Sequence, residues 1–373
     1  MRSYTMSNFC CLSRLMIMRA YFSLLPALVF CFGTFAQQPV VIGHSYGITS
    51  EILGEEREIE VQLPENYDNS RFAKTGYPVL YVLDGEFNFS FTAALERFNT
   101  KFLYRPYPEM IVIGIKNTDR TRDFTPTNVP VTGRHGRARF GTSGGADDFI
   151  RFLEEELKPF VNSEFRTDGY DILLGHSFGG LFTVYTLLEH PELFDSYIAL
   201  DPSLWWDDRL VYRKAEDLWK TTDFGKKGLF VALAYEAPEN AKDRFKHGKT
   251  IRDFCEHILM SNPGNNLRTN WKYYPEHDHG LVPIPATMDA LSFLFEGTQL
   301  PVKEVPLHPG LVAETYGKMS RKLGHELKPD ESLLYELIKY VKSTGKTESA
   351  RELLNYARNT YPGSAQLKTL NVD

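Results

Sequence analysis

The stretch that most constrains this chain is Gly175-His176-Ser177-Phe178-Gly179-Gly180, set between the apolar run 170–174 (YDILL) and a helix-periodic segment over 178–190. A G-x-S-x-G sequence between a buried strand and a helix describes a sharp, strained turn that lifts a serine hydroxyl above the end of a sheet. Side chains at the flanking positions would collide with the neighbouring strand or helix, so glycines stand there. The same turn leaves the Phe178 backbone N–H at a helix start, where it can meet a developing negative charge. Ser177 is therefore the candidate nucleophile. His176 is adjacent but expected to point away, and is assigned a structural role.

The rest of the chain supplies the sheet such a turn needs. The segment 58–63 (EIEVQL) alternates polar and apolar residues, as a half-buried antiparallel strand does. The runs 77–83 (YPVLYVL) and 110–115 (MIVIGI) are continuously apolar, as strands covered on both faces are. Strands at 170–174, 197–200, 228–234 and 270–274 continue the series, with helical periodicity over 89–102, 145–161, 178–190, 241–260 and 285–295. Alternating strands and helices predict an α/β sandwich with a largely parallel sheet.

A serine hydroxyl is a weak nucleophile and needs a base oriented by an acid. With this turn, the chain order is serine, acid, histidine, each at the carboxyl end of a strand. The last predicted strand runs into Pro275-Glu276-His277-Asp278-His279-Gly280 and then a helix. His279 is the better-placed base and His277 the alternative. For the acid, Glu236 closes the strand GLFVALAYE, with Glu239 just behind it, and Asp201 closes the earlier strand YIALDP as the alternative. A second oxyanion donor belongs after the strand 77–83, where Gly85 permits a tight turn and aims the Glu86 N–H at the site. A metal reading of His277-Asp278-His279 finds no second ligand cluster in the sequence, so neither metal nor other cofactor is expected. Trp205, Trp206, Phe87 and Phe178 are candidate walls of a substrate pocket. The loop 117–140 gathers Arg120, Arg122, Arg134, His135, Arg137 and Arg139, with Arg122 the candidate contact for an anionic substrate.

Residues 21–35 (YFSLLPALVFCFGTF) follow Arg14 and Arg19, carry no charge and lead to Ala36. This is the pattern of a secretory signal peptide over residues 1–36, with translation starting at Met1, Met16 or Met18. The run is too short, and too interrupted by Pro26, for a spanning helix of about 20 apolar residues. The mature protein is thus expected to be exported (periplasmic or secreted), without stable membrane insertion. Cleavage near Ala36 removes three arginines and no acid, taking the net charge from -6 to -9. With that balance and no long basic run, nucleic acid is not an expected partner. Cleavage also leaves Cys255 as the lone cysteine, in a helix-periodic setting that makes it buried and inert.

After Gly297 the composition changes. Pro301, Pro306 and Pro309 mark a linker, and helical segments over 333–341 and 347–361 follow, with a tetratricopeptide-like arrangement of small and aromatic residues. One such unit cannot bury its apolar face alone. It docks on the preceding domain or on a protein partner, docking in cis being favoured. The expected boundaries are 1–36 leader, 37–300 catalytic domain and 301–373 helical extension.

With these residues in place, the chain resembles the esterase family of α/β-hydrolases that takes in ferric-siderophore (enterobactin and salmochelin) esterases, esterase D-type enzymes, feruloyl esterases and mycolyltransferases. The resemblance is carried by 52–57 (ILGEER), Leu63-Pro64, 77–86 (YPVLYVLDGE), 113–117 (IGIKN), 122–126 (RDFTP), 175–180, 202–206 (PSLWW) and His279-Gly280, and spans roughly 45–297. It implies an α/β-hydrolase fold with a mostly parallel central sheet, helices on both faces and an added all-helical C-terminus. It also implies Ser177 as nucleophile, His279 as base, Glu236 as orienting acid, and oxyanion amides at Glu86 and Phe178. Asp201 departs from the pattern, standing where family members often have a small residue. The function so implied is an exported serine ester hydrolase working through an acyl-enzyme on a small-molecule ester, of siderophore or aryl type. The competing readings are a catalytically silent binding scaffold with the helical tail as its surface, and acyl transfer from the same acyl-enzyme.

Overall fold

In the computed structural model, the described residues are 39–132, 138–235, 246–261 and 264–372. The leader read over 1–36 lies outside them. The chain opens with β1 (His44–Ser50) and β2 (Glu55–Gln62), then β3 (Tyr77–Leu83), α1 (Gly85–Asn99), β4 (Ile111–Ile115) and the short α2 (Arg120–Phe124). A two-stranded ribbon, β5 (Val131–Thr132) and β6 (Ala138–Arg139), leads to α3 (Ala146–Arg151), which runs through a π-helical stretch (Phe152–Leu157) into α4 (Lys158–Glu164). Then come β7 (Thr167–His176), α5 (Phe178–Glu189), β8 (Ser196–Leu200), α6 (Trp206–Leu218), β9 (Gly228–Leu233), α7 (His247–His257), β10 (Arg268–Tyr273) and α8 (Pro283–Leu294). Four helices close the chain: α9 (Leu311–Leu323), α10 (Glu331–Ser343), α11 (Thr347–Thr360) and α12 (Ala365–Thr369).

Eight strands form one sheet in the order β1-β2-β4-β3-β7-β8-β9-β10. The β1–β2 and β2–β4 pairs are antiparallel and every later pair is parallel. The continuous apolar runs are the central strands, because side chains alternate across the sheet and both faces are covered. Val79, Tyr81 and Leu83 enter a core with α3 to α7, while Leu80 and Val82 enter a second core with α1 and α8 to α12. Cys255 is fully buried, and burial pushes its thiol up, in keeping with an inert core position. No described helix is long and apolar enough to cross a membrane.

The C-terminal helices share the second core and are tied to the sheet domain by buried polar contacts. Asp330, which precedes α10, accepts from Arg105 Nη1 at 2.9 Å and from the Glu109 amide at 3.2 Å. Glu331 accepts from the Ala73 amide at 2.7 Å, and Gln366 donates its amide to the Arg71 carbonyl at 2.8 Å. Residues 41–373 accordingly form one compact unit. The tail packs in cis, as favoured from sequence.

This junction stores carboxylates away from water. Glu96 on α1 is 1% exposed, accepts from the Met110 amide at 3.0 Å, and is pushed up to about 8 by burial and by the neighbouring Glu109 and Asp330. The native state keeps a proton there that the unfolded chain loses above its ordinary 4.5, so this group withdraws stability as pH rises from 4.5 to about 8. Glu96→Gln, which needs no proton, is expected to exceed the parent protein in stability by roughly 1–3 kcal/mol at pH 8. Urea unfolding at both pH values checks this; the two proteins should converge at pH 5.

Candidate active site

Parallel pairing brings three strand ends level on one edge of the sheet, and each ends in a strained residue. Asp84 after β3 (φ 56°), Ser177 after β7 (φ 60°) and Asp201 after β8 (φ 44°) all adopt positive φ, which non-glycine residues seldom do. Ser177 is held by its amide on the Leu200 carbonyl at 3.0 Å, while its own carbonyl accepts from Ser203 at 2.9 Å and from Leu181 in the first turn of α5 at 2.9 Å. Gly175 is obligatory: a Cβ there would lie 2.2 Å from the Gly179 carbonyl oxygen. The sharp strand-to-helix turn expected from the sequence is the one observed.

A hydrogen-bonded run crosses this edge. Ser177 Oγ lies 3.0 Å from His279 Nε2, and His279 Nδ1 lies 2.5 Å from Asp201 Oδ2. Asp201 is 1% exposed; its other oxygen accepts the Ala234 amide at 2.9 Å, and His247 Nε2 reaches the shared Oδ2 at 3.0 Å. Burial alone would raise this carboxyl, but the bonds from His247, His279 and Ala234 outweigh it and hold Asp201 well below the usual carboxylate range. His279 sits on the loop between β10 and α8, its ring 4.5 Å from that of His176 and 5.1 Å, nearly perpendicular, from that of His247. Burial and the neighbouring His279 push His176 down to about 4, so a neutral ring backs the base.

A cleft of about 470 Å³ opens onto Ser177 and His279, lined also by Asp84, Phe87, Phe91, Arg120, His176 and Ile284. Arg120 grips Asp84 with two nitrogens, at 2.5 and 2.9 Å, and also donates to the His176 carbonyl at 3.1 Å. Phe178 and Glu86 lie in the first turns of α5 and α1, where backbone N–H groups have no intrahelical acceptor.

The structure brings together some of the residues expected from the sequence and not others. Glu236 and Glu239 lie outside the described residues, and the carboxylate set against His279 is the alternative, Asp201. His277 turns away from Ser177: its carbonyl accepts the Tyr235 amide at 2.7 Å and its ring meets Tyr274 edge-on. Trp206 is core, 1% exposed, with Nε1 donating to Thr127 Oγ1, and neither it nor Trp205 lines the cleft. Trp205 instead packs on Phe178 and Trp206. Arg122 is committed to Glu55, at 2.6 and 3.0 Å, and to Asp123 at 2.8 Å, and takes no part in the cleft. Phe87 does line it, 74% exposed at its rim. Arg134, His135 and Arg137 lie outside the described residues. His176 flanks the base rather than pointing away. His247 has no motif that marks it in sequence, and Ser203, whose Oγ is 3.4 Å from that of Ser177, stands within 202–206 (PSLWW), a stretch read for its tryptophans.

The family model described as "Putative esterase" matches residues 50–233. A siderophore enterobactin esterase of Emericella nidulans is 30% identical over 270 residues, covering 64% of this chain and 88% of that protein. The chain belongs to this esterase family. A ferri-bacillibactin esterase of Bacillus subtilis is 33% identical over 200 residues, covering 50% of this chain and 68% of that protein. An IroE-like serine hydrolase from Shewanella oneidensis superposes with a TM-score of 0.76 at 33% identity, over 85% of this chain and 99% of that one. The α/β-hydrolase fold and a carboxylic ester hydrolase activity follow for this member of the family.

Asp201→Asn keeps the shape of the site but removes the charge facing His279. A loss of about 10³–10⁴-fold in kcat on an aryl ester is expected, with KM little changed. Glu236→Gln, measured alongside, is expected to stay within a few-fold of the parent protein; the reverse pattern would return the acid role to Glu236.

Proposed function

We propose that the protein is an exported serine esterase that cleaves siderophore-type esters through an acyl-enzyme on Ser177. The observation that carries this is the run Ser177–His279–Asp201, at 3.0 and 2.5 Å, in a chain whose relatives are named for siderophore ester hydrolysis. In the first half-reaction Ser177 Oγ attacks the ester carbonyl carbon as its proton passes to His279 Nε2. Asp201, ionised and unable to leave its buried hydrogen bonds, stabilises the imidazolium that forms. The Phe178 and Glu86 amides receive the tetrahedral oxyanion. Collapse of the intermediate breaks the ester C–O bond, and His279 returns its proton to the departing alkoxide oxygen. In the second half-reaction water attacks the acyl-enzyme with His279 again as base, releasing the acid and restoring Ser177.

The cleft fits one arm of such a substrate. Phe87, Phe91 and Ile284 give an apolar wall suited to an aromatic acyl group, and the paired Arg120 and Asp84 add a polar patch to the lining. Export is supported by the leader pattern over 1–36. A silent scaffold would have no use for an aligned serine, imidazole and buried carboxylate, which favours the catalytic reading.

The test is intact-protein mass spectrometry with a fluorophosphonate probe, beside hydrolysis of a catecholate tri-lactone and of simple aryl esters. Labelling at Ser177, lost in Ser177→Ala and His279→Ala, together with tri-lactone cleavage, is the expected result. Failure to label folded protein would sink the mechanism, and labelling without tri-lactone cleavage would sink the substrate class. In an exporting host, the mature N-terminus is expected at Gln37.

A further inference from the structure

We infer that Asp201, His247 and His279 form a binding site for a divalent first-row transition metal, and that an ion held there switches the esterase off. The binding half stands independently; the switching half rests on the catalytic role proposed for His279. The sequence offered only His277-Asp278-His279 as a metal cluster, and among the described residues those three do not form a ligand group. It brings His279 instead to two ligand types from distant elements: the carboxylate at the end of β8 and His247, the first residue of α7. Asp201, His247 and His279 each offer a ligand atom within 4.8 Å of the other two, and His247 Nε2 and His279 Nδ1 lie 3.0 and 2.5 Å from the shared Asp201 Oδ2.

Two imidazole nitrogens and one carboxylate oxygen are a donor set that selects Zn²⁺, Co²⁺, Ni²⁺ or Cu²⁺ over Mg²⁺ or Ca²⁺. A tetrahedral ion with bonds of about 2.0–2.1 Å holds its ligand atoms about 3.3 Å apart. His279 Nδ1 must therefore part from Asp201 by less than about 1 Å, and its side chain, 47% exposed on a loop, is free of a packed core that would resist this. The Ala234 amide fixes the other carboxylate oxygen and so orients Oδ2, the outer-shell support a metal carboxylate needs. Water completes the coordination from the exposed side of His279.

The consequence for catalysis is one of proton placement. Neutral imidazole carries one N–H. In the relay it resides on Nδ1 facing Asp201, and the Nε2 lone pair is left to take the Ser177 proton. An ion needs the lone pairs on His279 Nδ1 and His247 Nε2, so the protons these nitrogens hold toward Asp201 are given up to solvent. Each ring, as a neutral imidazole, then carries its proton on the other nitrogen, which on His279 is Nε2. Nε2–H then donates to Ser177 Oγ and no base remains. No electron is transferred, and chelation of the ion reverses the change.

The experiment titrates Zn²⁺ by calorimetry and Co²⁺ by its visible d–d absorption into the leaderless parent protein, Ser177→Ala, His247→Ala and His247→Gln. One equivalent is expected to bind the parent and Ser177→Ala alike, because Ser177 contributes no ligand. Both His247 variants are expected to weaken binding roughly tenfold or more. In the parent, Zn²⁺ is expected to suppress fluorophosphonate labelling with the concentration dependence of binding, and EDTA to restore it. Absence of stoichiometric binding, or binding indifferent to both His247 variants, overturns the site. Binding at this site with labelling unaffected overturns the switch. A protein that binds the ion through His247 yet is never labelled, even in EDTA, would support the site while refuting the esterase mechanism.

Discussion

Parallel strand pairing is the constraint on which the rest of this structure depends. Because β3, β7, β8 and β9 run the same way in near register, with His176 opposite Leu200 and Leu200 opposite Ala232, their carboxyl ends finish level. Whatever follows each strand is therefore delivered to one edge. Asp84, Ser177 and Asp201 follow three of those strands, and each takes a left-handed conformation that reverses the chain sharply there. Such conformations cost free energy, and the paired, fully buried strands on either side over-determine them. The strain is the means by which polar side chains are aimed out of an apolar sheet.

Charge in the molecule is sorted by the same logic. Arg57 is fully buried against Asp123 and Glu55, and Arg122 closes that cluster from the outside, holding Glu55 at about 2. This bracing of β2 against α2 takes Arg122 out of the substrate's reach while Arg120, two residues earlier, faces the cleft and Asp84. Beside the second core, Glu109 and Asp330 share one cation, Arg105, with Glu96 buried nearby, and burial with the neighbouring Glu109 pushes Asp330 up to about 7. The tail thus contributes more than apolar cover: it supplies carboxylates to a dry junction whose protonation is linked to its docking.

The active edge has a feature that a minimal serine hydrolase does not need. Asp201 serves two imidazoles, and the second, His247, arrives from a helix that begins after a segment outside the described residues. A carboxylate so shared is held ionised more firmly than one imidazole would hold it. The same sharing creates a compact nitrogen–oxygen donor set at the heart of the relay.

Much of this was legible in the sequence because it rests on local patterns. Continuous apolar runs marked β3, β4, β7, β8 and β9, the glycines at 175, 179 and 180 marked the turn, and His279 was placed by its position after the last strand. Those features depend on side-chain period and backbone sterics, which neighbours in sequence determine. The tertiary structure alone decided that Asp201 faces His279, that His247 joins it, and that Arg122 and Trp206 are consumed by structural contacts. A carboxylate at a strand end looks the same in sequence whether it meets water or an imidazole. Only the packing of elements 46 and 78 residues away selects its partner.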